Sequence, residues 1–86
     1  MSLKNNIKNE ITIFPTPVKD KLTVSLPVQK NNIIYSVYNA NGKLILKDEL
    51  KEISIFELDL SNQAKGIYFI PLLVDEEKSV IEIIKQ

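Results

Sequence analysis

Residues 58–70 read Leu58-Asp59-Leu60-Ser61-Asn62-Gln63-Ala64-Lys65-Gly66-Ile67-Tyr68-Phe69-Ile70 and hold two strands with a crossing between them. Leu58 and Leu60 alternate with Asp59, the period of a strand with one buried face. Ser61 to Lys65 is too polar and too short to form an element, so the chain crosses over there. Gly66 restarts it, and Ile67 to Ile70 is β-branched and aromatic again. A glycine two residues before Tyr68 lets the loop backbone approach closely. The spacing therefore predicts a tyrosine whose ring packs in the core and whose hydroxyl ties down the loop before it.

The rest of the chain repeats the strand pattern. Ile11-Thr12-Ile13-Phe14 is a short strand, stopped by Pro15 and Pro17, which force extended geometry on the residues before them. Leu22, Val24 and Leu26 alternate with Thr23 and Ser25 in a half-buried strand that Pro27 closes, and Gln29 to Asn32 is a turn. Ile33 to Asn39 places Ile33, Tyr35 and Val37 on one face and Ile34, Ser36 and Tyr38 on the other. Asn41-Gly42 is a hairpin signal because both residues tolerate positive φ, and Lys43 to Asp48 returns. In the strand from Ile53 to Leu60, Ile53 and Ile55 are out of phase with Phe56, Leu58 and Leu60. That break predicts a bulge or a change of sheet near Ile55-Phe56.

Tyr68, Ile70, Leu72 and Val74 share a face of the next strand, where Pro71 calls for an edge or a bulge. Asp75 to Lys78 is an acidic, solvated hairpin tip, and Ser79 to Lys85 is the last strand. No helix of ordinary length fits. About seven short strands at 8–12-residue spacing predict an all-β fold, an immunoglobulin-like antiparallel β-sandwich.

Composition narrows the chemistry. At 86 residues the chain is one small domain. It has no cysteine, histidine, tryptophan or arginine, and its 11 lysines balance 11 carboxylates. The commonest general base, zinc ligand and activated nucleophiles are therefore missing, so the chain is read as no enzyme, with no catalytic, cofactor-binding or metal-binding residue. Zero net charge gives no electrostatic footprint for nucleic acid or anionic lipid. Two glycines cannot build a phosphate-cradling loop.

Four groups of residues then fall into one order. They are Phe14-Pro15-Thr16-Pro17-Val18 with Leu22; Val37-Tyr38-Asn39 with Gly42-Lys43; Leu58-Asp59-Leu60-Ser61 with Gly66-Ile67-Tyr68; and Ile83-Ile84-Lys85. In order and spacing they resemble the type IX secretion system C-terminal sorting domain of the Por secretion type A kind, from about Ile11 onward. The resemblance makes Pro15, Pro17, Gly42, Lys43, Gly66, Tyr68 and Lys85 the family-motif residues. It implies a non-catalytic address at the end of a larger secreted protein of a Gram-negative bacterium. The partners implied are the outer-membrane translocon, met from the periplasm, and a sortase-like cysteine peptidase that cleaves upstream. The parent protein would then reach the cell surface or the medium. Three positions depart from the family pattern: Thr16 replaces asparagine, Pro71 interrupts a strand, and Glu82 stands where lysine is common. Lys85 is left as the only basic residue of the tail, and a surface position is expected for it.

By the same reading, residues 1–9 are an expression remnant and linker, and residues 10–86 are the domain. Two other readings compete with the address. A carbohydrate- or protein-binding sandwich appended to a secreted hydrolase would need exposed rings, for which Tyr38 is the best placed. A calcium-stabilised adhesion domain would have to use Asp75, Glu76 and Glu77, and a charge run at a hairpin tip is ordinarily just solvated.

Overall fold

The computed structural model describes residues 11–86. The expected remnant and linker at residues 1–9 lie outside the described residues. Five antiparallel strands form the fold: β1 (Thr12–Phe14), β2 (Lys21–Asn39), β3 (Leu44–Asp59), β4 (Gly66–Val74) and β5 (Glu77–Lys85). The count is five and not seven because two pairs of expected strands fuse. β2 runs through Pro27 and the expected turn at 29–32, and β3 joins the return strand to the one before the crossing.

A straight 19-residue strand would be roughly 60 Å long at ~3.3 Å per residue, yet the longest extent of the molecule is 40 Å. β2 is therefore bent, and the bend is visible in the register. Ser25 pairs with Ile55, but Lys30 pairs with Ile53, so Leu26 to Gln29 face Ser54 alone. Pro27 falls in that bulge, where its missing N–H costs no ladder bond. On β3 the bend carries Glu52 at φ 54°, next to the predicted phase break.

The bends split the hydrogen-bonded network into two layers. β1, the first part of β2 and the last part of β3 form one. The start of β3, the second part of β2, β4 and β5 form the other. Burial follows the switch. Leu22, Val24 and Leu26 are buried before the bend, Ile33, Tyr35 and Val37 after it, with Ile34, Ser36 and Tyr38 only half-buried. The separation from Leu26 to Ile33 is odd, so the inward face changes parity as the chain changes layer. Tyr35 of one layer stacks on Phe56 of the other, with ring centroids 5.0 Å apart at 17°. Tyr68, Ile70, Leu72 and Val74 from β4 and Ile81 and Ile83 from β5 complete the core.

Two local expectations are corrected. Pro71 sits neither at an edge nor at a bulge, because β4 lies between β2 and β5. The β2–β4 register is the same on both sides of a gap, Tyr35 with Leu72 and Tyr38 with Phe69, and Pro71 lies in that gap. At the β2–β3 hairpin only Gly42 has positive φ (84°). Gly42 N–H donates to the Asn39 carbonyl at 2.9 Å, and the pairing slips by one residue between Val37 and Tyr38. This is a turn over Ala40-Asn41 followed by a left-handed glycine, and not a two-residue turn with both centres left-handed.

Candidate functional site

The seven family-motif residues are spread over 71 positions of sequence, from Pro15 to Lys85, and the fold draws them to one end of the sandwich. Pro15 and Pro17 carry the chain out of β1 so that Val18 reaches β5 in the other layer, where it bridges Lys85 in parallel. Val18 N–H donates to the Ile84 carbonyl at 2.9 Å, and Gln86 N–H donates to the Val18 carbonyl at 2.7 Å. Lys85 pairs across β5 and β4 with Gly66. Two residues on, Tyr68 pairs with Asn39 of β2. The Asn39 side-chain oxygen in turn accepts from Asn41 N–H at 2.9 Å and Lys43 N–H at 3.0 Å, shaping the Gly42 turn. A shallow depression between this turn and the crossing is lined by Asn39, Ala40, Asn41, Lys65, Gly66 and Tyr68.

The crossing is tied down along its length. Leu60 N–H donates to the Asp20 carbonyl at 2.8 Å, and Gln63 N–H to the Leu60 carbonyl at 3.0 Å. The Tyr68 ring is buried at 3% exposure, and its hydroxyl donates to the Ala64 carbonyl at 2.5 Å. The tie predicted for Tyr68 is present and forms a tyrosine corner. Gly66 serves it differently from the expectation, since a Cβ there would meet nothing within 4 Å. What requires glycine is its φ of 143°, outside the range of L side chains.

Charge at this end is mostly basic: Lys19, Lys21, Lys43 and Lys65 are exposed, against Asp20 and Asp59. Ser61, through its hydroxyl and then its N–H (3.0 Å), holds the Asp59 carboxyl below the usual aspartate range. Lys21, which pairs with Asp59 across the strands, adds to that effect. Lys85 is the correction here. It is buried at 7% exposure, with its ammonium 3.4 Å from the main-chain oxygen of Gln86, and is no free surface charge. Its stem packs because alternate β5 residues from Ser79 to Lys85 all face inward.

The opposite end holds the hairpin Val74–Glu77 and the bends, and the described chain enters near it, Thr12 pairing with Ser25. Asp75 is more than a solvated tip residue. Its carboxylate accepts from Asn32 N–H at 2.9 Å and Asn31 N–H at 3.3 Å, which fastens the hairpin to β2. That clamp was not legible in the sequence, because nothing local pairs residue 75 with residue 32. Among the described residues no group of three or more acidic side chains could hold a metal ion. Tyr38, the ring offered to carbohydrate, is half-buried and pairs with Phe69 on the outer face of the second layer.

The sequence model described as "Secretion system C-terminal sorting domain" matches residues 12–86. A funoran endo-β-hydrolase of Wenyingzhuangia aestuarii is 34% identical over 73 residues, which is 84% of this chain and 10% of that protein. The chain thus spans about a tenth of the curated relative it matches. Among solved structures, a DUF3244 family protein of Bacteroides vulgatus with an immunoglobulin-like β-sandwich fold superposes with a TM-score of 0.78 at 13% identity. That match covers 94% of this chain and 90% of the other. Dimeric latent PorU from Porphyromonas gingivalis gives a TM-score of 0.66 at 19% identity, covering 87% of this chain and 9% of that one. At such identities these two structures speak to the fold alone, which is the immunoglobulin-like β-sandwich.

Proposed function

Because the chain belongs to the family of secretion system C-terminal sorting domains, we propose that it is the address by which a larger protein is exported through the type IX system. The parent passes through the periplasm, is recognised at the outer-membrane translocon, and reaches the surface or the medium. A sortase-like peptidase cuts upstream of the domain, which is substrate and signal and does no chemistry itself. Residues 10–86 are the address, and residues 1–9 precede it. The relative described as an endo-β-hydrolase makes a secreted hydrolase one class of parent.

The observation that carries this reading is the gathering of Pro15, Pro17, Gly42, Lys43, Gly66, Tyr68 and Lys85 at one end, away from where the chain enters. A recognition surface placed there stays clear of the parent. The test fuses residues 10–86 to a fluorescent reporter with a signal peptide, in a host with this secretion system. Lys43→Glu with Lys65→Glu alters the exposed motif end and leaves the core intact, and Glu76→Lys with Glu77→Lys alters the opposite end. The parent fusion and the second variant are expected outside the cell, and the first variant is expected to remain folded in the periplasm. Retention of the unaltered, folded fusion would reject the address.

A further inference from the structure

The outer edge of β5 is an open edge of the second layer, and its geometry is specific. Val18 covers only its end, bonding to Ile84 and Gln86. Backbone groups on one side of a strand belong to alternate residues, so Lys78, Val80 and Glu82 also point their N–H and C=O groups outward. Among the described residues, none bonds these groups. The side chains of the same three residues stand exposed on the outer face, Val80 at 51%.

From this edge we infer that two copies of the chain pair through β5, antiparallel, about a two-fold axis at Val80. The open stretch runs from Glu77 to Ile83, and Val80 is its midpoint. Centred there, Val80 pairs with Val80 of the second copy, and Lys78 pairs with Glu82 of the second copy on both sides of the axis. All three outward residues then exchange backbone bonds, roughly six in total. Moving the axis by one residue either way directs an outward group at the turn or at the position Val18 already holds. The centred register also sets unlike charges directly opposite one another, twice. An edge built only to repel its own copies would carry a single sign of charge. This one carries Lys78 and Glu82 symmetrically about an apolar centre. The pairing leaves residues 84–86 and both motif ends uncovered, so it is compatible with export and independent of it.

Sedimentation velocity on the 86-residue chain tests the inference. A dimer with a Kd of roughly 10–500 µM is expected for so small a contact. Lys78→Glu alone, or Glu82→Lys alone, places like charges opposite each other twice and should weaken the dimer roughly 10–100-fold. The double variant Lys78→Glu with Glu82→Lys exchanges the signs and should restore it. In the monomer these residues pair with Leu73 and Phe69, so all variants should melt like the parent chain. A chain that stays monomeric at about 0.5 mM, the upper limit of that Kd range, overturns the inference and leaves the edge to a foreign strand. A dimer indifferent to either single variant also overturns it, by placing the contact elsewhere.

Discussion

Tyr68 shows how one side chain can join a core to a loop. Its ring fills the sandwich beside the β4 row, and its hydroxyl holds the Ala64 carbonyl, so the crossing from Leu60 to Gly66 cannot lift without exposing a buried ring. Tyr68→Phe keeps the ring and loses the bond, at an expected cost of about 1 kcal/mol. Tyr68→Ala also leaves a cavity, at about 3–5 kcal/mol, enough to unfold a domain this small. Urea melts check both, and a Tyr68→Ala variant as stable as the parent would reject the corner. Lys85 teaches the reverse lesson. A lysine near a chain end reads as a surface charge, but its β5 position points it inward. Lys85→Glu would therefore perturb the fold as well as the motif, which is why Lys43 and Lys65 make the cleaner probes.

Among the elements, the β4–β5 hairpin carries the most evident backbone strain. Val74 pairs with Glu77 across two residues, Asp75 and Glu76, whose φ values are 46° and 74°. Positive φ at both centres suits the twist of a hairpin but disfavours residues with a Cβ. Glu76→Gly removes that penalty and, after the entropy glycine adds to the unfolded chain, should stabilise by about 0.5–1 kcal/mol. Asp75→Ala keeps the strain and leaves Asn31 and Asn32 N–H without their carboxylate, so it should destabilise by about 1–2 kcal/mol. Denaturant midpoints moving in opposite directions would bear this out, and a destabilising Glu76→Gly would count against the strain. The bends in β2 and β3 follow a similar logic, since Pro27 and Glu52 lie where the ladder is already broken.

Across the whole sandwich, the two ends are unlike. The described chain enters beside the bends, and the family-motif residues close the other end around Val18, Gly66 and Gln86. Placement of cargo should therefore matter. A reporter joined ahead of residue 10 leaves the motif end open, whereas the same reporter joined after Gln86 sits against it. Export is expected for the first fusion and periplasmic retention for the second, with both folded. Equal export of the two would reject the motif end as the surface that is recognised.

Periodicity alone was enough for the all-β class, for the core faces from Leu22 to Val24, Ile33 to Val37 and Tyr68 to Val74, and for the Tyr68 corner. Each of these is a short-range pattern, which a strand expresses whatever its neighbours are. The phase break in β3 was legible for the same reason, because a change of layer must shift parity. That seven segments are five strands emerges only in the folded chain, where a bulge removes the partner Pro27 would have needed. The Asp75 clamp on β2, the Val18 bridge to β5 and the burial of Lys85 are likewise invisible in one dimension. The first two join residues dozens of positions apart, and the third depends on which face β5 turns inward. All three are fixed by how the two layers stack, not by any local pattern.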